Sequence, residues 1–240
     1  MMSNRVALVT GANKSIGLEA VKAFARQGMV VYLGSRDEAA GKAAAEAARA
    51  DGDIRPIWLD VTKWDSLDAA IAKIAAEQGK LDILVNNAGI APDDAGPAEA
   101  DINQARMVME TNTFGPARLI QLALPLLRKS DAARIVNVSS EAGCTGRTAD
   151  GTLQMGPFKP FGYCLSKAAL NSVTALFADQ LRNEGIKVNA CSPGFVNSAL
   201  SRFMGTKTPE DGAKIIVKLA NDGPDGPTGG FFNDAGPIAW

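Results

Sequence analysis

Tyr163 and Lys167 stand at i and i+4 in the run Phe161-Gly162-Tyr163-Cys164-Leu165-Ser166-Lys167. On a helix that spacing puts a phenol and an ammonium on one face, within reach of each other. A free tyrosine, with a pKa near 10, is a poor proton donor or acceptor at neutral pH. A positive charge beside it favours the phenolate, so the spacing predicts a lowered phenol pKa and an acid/base pair. Tyr and Lys share helix faces by chance in many proteins, and the pair needs a ligand site near it to carry meaning.

Such a site is readable at the N-terminus. Arg5-Val6-Ala7-Leu8-Val9-Thr10 is β-branched and apolar and predicts a buried strand. Gly11-Ala12-Asn13-Lys14-Ser15-Ile16-Gly17 follows as a turn, and Leu18 to Ala25 has helical period. A strand, glycine turn and helix in that order aim free backbone N–H groups and a helix N-terminus at a phosphate. Gly11 allows the tight turn, and Gly17 allows the helix to pack close.

The elements that must position these residues alternate along the chain. Apolar runs at 5–10, 29–34, 54–58, 81–85, 133–138, 186–191 and 228–232 read as strands. Helical stretches lie near 15–27, 37–50, 64–78, 99–128, 160–183 and 209–220. This predicts an α/β fold, a Rossmann-type doubly wound parallel sheet covered by helices on both faces. The 240 residues form one domain over 1–240, undivided by repeats or a Pro/Ser-rich linker.

Bulk properties narrow the function. Lys+Arg 25 against Asp+Glu 26 leaves a formal charge of -1, so no general attraction to nucleic acid or an anionic membrane is expected. The chain contains no histidine, which removes Ser-His-Asp hydrolases and His-ligated metal enzymes. Cys144, Cys164 and Cys191 are too few and unevenly placed for a disulfide framework or a metal site. No signal-peptide or membrane-length apolar run is seen, and a reducing cytoplasmic setting is expected.

With its motifs taken in order, the chain resembles the short-chain dehydrogenase/reductase family from about residue 5 to the C-terminus. The motifs are Thr10-Gly11 through Gly17, Leu59-Asp60-Val61, Asn86-Asn87-Ala88-Gly89, Asn112, Val138-Ser139-Ser140, Tyr163 with Lys167, and Ser192-Pro193-Gly194. Thr111 to Pro116 and the ending Gly229-Gly230-Phe231-Phe232 look most like the carbonyl-reductase branch. The resemblance implies strand order 3-2-1-4-5-6 with a seventh strand at the edge, and a ligand crevice at the carboxyl ends of the strands.

It also implies the roles. Tyr163 donates a proton to a carbonyl oxygen as hydride arrives from a nicotinamide, Lys167 lowers the phenol's pKa and bonds the nicotinamide ribose, and Ser140 holds the carbonyl. Asn112, inside the long helix, holds a water linking Lys167 to solvent. The cofactor is held by Gly11, Asn13, Lys14, Ser15, Ile16, Gly17, Arg36, Asp60, Val61, Asn87, Ala88, Gly89, Tyr163, Lys167, Pro193, Gly194, Val196 and Ser198. Asn86 braces the sheet. Because Ser35 stands where NAD-using relatives carry Asp and Arg36 follows it, NADP(H) is the expected cofactor, with Lys14 and the Ser35 hydroxyl near the same phosphate.

Three departures from the family pattern matter. Ser15 replaces the middle glycine of the first turn. Ser198 stands where threonine is usual. More residues separate Ser140 from Tyr163 than in ordinary members, which predicts an insertion loop near 145–160, rich in Gly and Pro. A short lid near 199–209, with Phe203 and Met204 its main apolar side chains, predicts an open pocket for small or medium ketones and aldehydes. The expected function is NADPH-dependent carbonyl reduction of a small-molecule substrate. An NAD-dependent alcohol dehydrogenase and a non-catalytic nucleotide-binding regulator are the alternatives. A homodimer, a homotetramer and a monomer all stay open.

Overall fold

The computed structural model describes residues 5–92, 96–153 and 160–240. Eight strands form one sheet in the order β3-β2-β1-β4-β5-β6-β7-β8, parallel throughout except for the last pair. They are β1 Val6–Val9, β2 Val30–Ser35, β3 Ile54–Trp58, β4 Ile83–Asn86, β5 Arg134–Val138, β6 Lys187–Cys191, β7 Phe231–Asn233 and β8 Gly236–Pro237. The expected seven-strand order is present, and the two-residue β8 is an addition that the apolar pattern does not show.

Alternation along the strands divides the core between the two faces of the sheet. Val6 and Leu8 of β1 face one way, packing with Leu67 of α3 (Trp64–Gln78), Leu119 of α5 (Gly115–Leu127) and Leu181 of α7 (Phe161–Leu181). Ala7 and Val9 face the other way, among Phe24 of α1 (Ser15–Arg26), Ala45 of α2 (Glu38–Ala47) and Ile216 of α8 (Pro209–Asn221). Each large side chain buried this way is worth about 1.5–3 kcal/mol relative to exposure.

Helix α1 shows why such a segment folds as it does. Ala20, Val21, Phe24 and Ala25 bury one stripe, while Glu19, Lys22 and Arg26 lie outside the fully buried set. Gly28, at φ 81, ends it by a turn that a residue with a Cβ would resist.

The expected single helix over 99–128 is interrupted. It consists of α4 (Ile102–Met109), a π-helical turn at Glu110–Phe114, and α5. Gly115 explains part of the break, since a Cβ there would lie 2.6 Å from the Val61 carbonyl oxygen and 2.8 Å from the Val61 Cβ. The chain comes too near the end of β3 at that point for a larger residue. The expected helix over 37–50 likewise ends at Ala47, and a 3-10 turn at Arg49–Asp51 follows.

The insertion is less open than its composition suggests. Thr145–Ala149 forms the short helix α6, whose Thr148 hydroxyl donates to the Cys144 carbonyl at 3.1 Å. Leu153 is buried, and its N–H donates to the Arg147 carbonyl at 2.8 Å. Gly156 and Pro157 of the insertion lie outside the described residues.

At its outer rim the sheet ends in β3. The Leu59 N–H donates to the Ser35 carbonyl at 2.9 Å, so by alternation Ile57 and Arg55 also turn their N–H groups toward β2. Pro56 occupies the outward phase, where a missing N–H costs the sheet nothing. The opposite rim folds back as the β7–β8 hairpin, where the Trp240 ring stacks on Phe231 at 5.6 Å.

Candidate active site

The first side of the crevice is the turn between β1 and α1. Gly11 adopts φ 61, and a Cβ on it would fall 2.8 Å from the Ala88 Cα. Gly17 is equally confined, with a would-be Cβ 2.5 Å from Asn87 Nδ2 and 2.9 Å from the Ala12 Cα. These contacts bring the ends of β1 and β4 together.

Thr10 completes the junction, and the motif reading assigned it no role. Its hydroxyl accepts from the N–H groups of Asn87 (3.0 Å) and Ala88 (2.9 Å), while Asn87 Nδ2 donates back to the carbonyls of Thr10 (2.9 Å) and Gly11 (3.1 Å). The amide of Asn87 is therefore spent on shaping the turn.

The turn presents donors without partners. No side chain caps the N-terminus of α1, where Lys14 is the N-cap residue. Ser15 sits at φ 52, unusual for a residue with a Cβ, and its buried hydroxyl has no hydrogen-bond partner among the described residues. A buried polar atom left unpaired is costly, and the strained backbone adds to that cost. A pyrophosphate against this helix end would satisfy both the free N–H groups and that hydroxyl. The residues thus fit a dinucleotide on features of the chain itself. Ile16 and Val196 meet across Gly212 of α8, whose would-be Cβ lies 2.7 Å from Val196 Cγ2 and 3.3 Å from Ile16 Cγ1. That contact ties the first turn to the loop after β6.

The end of β2 is organised differently from the expectation at one residue. Ser35 is buried, and its hydroxyl donates to the Asp37 carbonyl at 2.7 Å. It holds the strand-to-helix corner and is not offered to a ligand. Asp37 caps α2 by accepting from the Ala40 N–H at 2.9 Å. Arg36 and Lys14 are both exposed. At the end of β3, Asp60 Oδ1 accepts from the N–H (3.0 Å) and hydroxyl (2.8 Å) of Thr62. Ser66, whose hydroxyl donates to the Asp60 carbonyl, fixes the Asp60 backbone. Val61 is buried against Gly115.

The second side is built on β5 and α7. Ser139 is buried and donates to Asn171 Oδ1 at 2.6 Å, so it braces strand against helix. Ser140 is half-buried, and its hydroxyl accepts from the Ala142 N–H at 3.2 Å and lies near enough to the Tyr163 phenol to favour its ionised form. The 3-10 turn Glu141–Gly143 lies flat on α7. A Cβ on Gly143 would come within 2.6 Å of the Lys167 carbonyl carbon and 2.7 Å of the Ala168 nitrogen.

Lys167 is buried, donates to the Val138 carbonyl at 2.8 Å, and lies 5.6 Å from the centre of the Tyr163 ring. Burial pulls its pKa down to about 8, a shift only partly opposed by Cys191. Cys191 itself is pushed up to about 12 by burial, despite the lysine.

The expected lowering of the phenol's pKa is not what the structure shows. Burial raises the Tyr163 pKa, and the nearby Ser140 hydroxyl is what opposes it. The physical reason is position. The ammonium is turned to the floor of the crevice, on the Val138 carbonyl, and stands under the ring rather than beside the hydroxyl.

Asn112 occupies the π-turn and is fully buried. Its Oδ1 accepts from the Ile90 N–H at 2.9 Å, while Nδ2 donates to the Ile90 carbonyl (2.9 Å) and the Ser166 hydroxyl (3.0 Å). Both amide hydrogens are used, and one lone pair of Oδ1 is left for anything else. Its visible work is to clamp the chain after Gly89, whose would-be Cβ lies 3.4 Å from Asn112 Oδ1 and 3.7 Å from Lys167 Nζ. Asn86 donates to Asn137 Oδ1 at 2.8 Å between β4 and β5, a brace within the sheet.

After β6 comes the loop carrying Pro193, Gly194, Val196 and Ser198. Gly194 takes φ 82, and Val196 is buried. The lid that follows is zipped at its base. The N–H groups of Thr206 (2.9 Å) and Lys207 (3.0 Å) donate to the Phe195 carbonyl, and the Asn197 N–H donates to that of Lys207 at 2.8 Å. The Ser198 carbonyl accepts from the Phe203 N–H at 2.8 Å. Leu200, Phe203 and Met204 are exposed on the lid. Two ion pairs that motif reading does not find flank this end of the crevice, Glu141 with Arg147 and Lys207 with Asp234. The first pair is local, six residues apart across the Glu141–Gly143 turn and α6, while the second joins segments brought together only by folding.

Known proteins share this arrangement. Residues 5–208 match the family described as short chain dehydrogenase. Short-chain dehydrogenase/reductase 1 of Saponaria officinalis is 36% identical, with 97% of this chain and 95% of that protein covered. Carbonyl reductase [NADPH] 1 of Bos taurus is 33% identical, with 99% of each chain covered. The solved structure of NADPH-bound carbonyl reductase from chicken fatty liver superposes with a TM-score of 0.88 at 28% identity over 100% of both chains. With motifs, sheet order and relatives in agreement, the chain belongs to the short-chain dehydrogenase/reductase family of oxidoreductases, on its carbonyl-reductase-like branch.

Proposed function

We propose that the protein is an NADPH-dependent carbonyl reductase acting on small or medium ketones and aldehydes. The observation that carries this reading is the Ser140–Tyr163–Lys167 cluster, set at the ends of β5 and β6 across from the uncapped first turn of α1. The nicotinamide cofactor, when bound, supplies hydride. Everything else falls to the chain. Ser140 holds the carbonyl oxygen, and Tyr163 gives up the phenolic proton to that oxygen as charge develops on it. The raised pKa of Tyr163 keeps the proton on the phenol at neutral pH, which suits a general acid. Lys167 holds a positive charge beneath the ring and holds the nicotinamide ribose. Gly11, Ser15, Ile16 and Gly17 hold the pyrophosphate, with Asn13 completing the turn. Asp60 and Val61 take the adenine side; Ala88, Gly89, Pro193, Gly194, Val196 and Ser198 flank the nicotinamide half.

Arg36 and Lys14 support the choice of NADPH, since both are exposed cations at the turn and the β2 end, and the family's NAD-selecting position holds Ser35. The Arg36→Ser variant is expected to raise KM for NADPH by about tenfold or more, through loss of a charge-assisted contact, and to leave KM for NADH nearly unchanged. Initial rates with both cofactors check this. Equal loss with the two would remove the 2′-phosphate from the argument.

The pH dependence follows from Lys167. As pH rises through about 8 the buried ammonium loses its proton, while the phenol, with its raised pKa, keeps its own. The free enzyme's kcat/KM for NADPH is therefore expected to be flat below pH 8 and to fall above it, toward tenfold per unit. A profile measured from about pH 6 to about pH 10 that stayed level throughout would contradict the role given to this lysine. Oxidation of NADPH by a panel of ketones, aldehydes and diketones tests the activity itself, and failure of every carbonyl would sink it.

A further inference from the structure

At the end of the sheet opposite the crevice there is a cavity of about 890 Å3 between the segments entering β1, β5 and β6 and the turn after α8. Its lining has an excess of positive charge: Arg5, Arg134, Arg182 and Lys187 against Asp131 and Asp222. One of these cations is sunk into the fold and a second, Arg5, is half-buried. Arg134 is buried, and its guanidinium donates only to carbonyl oxygens, those of Ala133 (2.9 Å), Asp222 (3.0 and 2.7 Å) and Gly223 (2.9 Å). Arg5 donates to Asn221 Oδ1 and the Ala220 carbonyl, both at 3.0 Å, and its buried Nε has no partner among the described residues.

Among the described residues neither guanidinium has a carboxylate at hydrogen-bond distance. The nearest acid acting on Arg5 is Asp82, whose oxygens are already taken by the Val6 N–H, Lys80 and Ser130. The two arginines also repel each other, which lowers the pKa of Arg134 beyond what burial does, and the Asp222 carboxylate offsets this only in part. Buried cations are ordinarily paired, because an uncompensated one carries several kcal/mol of desolvation. Carbonyl dipoles orient a guanidinium without cancelling its charge.

We propose that this cavity binds a small dianionic oxyanion, a phosphate or phosphate ester. Exposed Arg182 and half-buried Lys187 contact it at the mouth, and Arg5 and Arg134 supply the field beneath. Lys187 is already oriented by a bond to the Gly226 carbonyl at 2.5 Å. The site is separate from the catalytic crevice. Arg134 and Lys187 begin the strands whose other ends carry Val138 and Cys191, about 13 Å away along a five-residue strand.

The test is thermal unfolding of the full chain in inorganic phosphate, in a sugar phosphate, and in chloride at matched ionic strength. Phosphate is expected to raise Tm above the chloride control by about 4 °C at about twenty times a millimolar Kd. The rise should vanish in Arg182→Glu and persist in Arg36→Ser, which alters only the cofactor crevice. Arg134 is left intact because it anchors the turn at Asp222 and Gly223. A larger rise with the sugar phosphate assigns the site to an ester; a larger rise with inorganic phosphate assigns it to the free ion. No rise over chloride overturns the proposal. So does a rise kept in Arg182→Glu or lost in Arg36→Ser, either of which puts the anion in the cofactor site.

Discussion

Tyr163→Phe is expected to lower the rate of carbonyl reduction by about 10³-fold, within the range that a positioned general acid supplies. The ring, its packing and its place over Lys167 are all retained in the variant, and only the hydroxyl beside Ser140 is lost. Cofactor affinity should therefore change by less than about threefold, and Tm by only a few degrees. Steady-state rates measured beside a fluorescence titration with NADPH separate the two quantities. Retention of a tenth or more of the wild-type rate would mean that the proton comes from elsewhere, and the assignment of this tyrosine would fall.

Which parts of the site could be read in advance follows from locality. Tyr163 and Lys167 are set by one helix period, and Gly11 and Gly17 by the demands of one turn. The spacing of the pair and the turn itself are contained in neighbouring residues, so the motif carries them, while the close approach of Gly11 to Ala88 and of Gly17 to Asn87 belongs to the fold. What Lys167 does to Tyr163 is not local. It depends on the Val138 carbonyl of another strand, which draws the ammonium downward, and on the burial of both groups. The spacing alone therefore led to the wrong direction for the phenol.

Ser35 and Asn112 teach the same lesson. As isolated residues both have polar atoms free to meet a ligand; in the fold Ser35 donates to the Asp37 carbonyl, while Asn112 commits its amide hydrogens to Ile90 and Ser166 and keeps one lone pair of Oδ1 open. The π-turn at Glu110–Phe114 was hidden because a helical period runs through it. The close approach of Gly115 to Val61 is a tertiary fact with no periodic signature. The family resemblance selects Ser140 over Ser139, and what the structure adds is the task of Ser139, which is tied to Asn171.

Gly143→Ala is expected to have the second largest effect, and by a mechanical route. The added methyl would stand 2.6–2.8 Å from backbone atoms of Lys167 and Ala168, with no flexible side chain to give way. The 3-10 turn must lift off α7, at a cost of about 2 kcal/mol and some 4–8 °C in Tm. Ser140 caps that turn through the Ala142 N–H, and its carbonyl accepts from the Gly143 N–H at 2.9 Å, so it moves with the turn and away from Tyr163. A fall in kcat of about 10²-fold, with KM for NADPH nearly unchanged, is the expected signature. Gly146→Ala is the control. Its added carbon meets nothing within 4 Å, so stability should hold or improve slightly. Equal effects from the two substitutions would show that the close contact at Gly143 is not what places the serine.

Pro56 has a consequence beyond its own strand. A ribbon from a second molecule laid along the outer rim of β3 would need a continuous row of donors, and it would find a gap at the middle of a five-residue strand. The far rim offers only two residues before the chain leaves the ladder. Stacking of copies by end-to-end lengthening of the sheet is thus opposed at both borders, and any self-assembly is directed to contacts between helices.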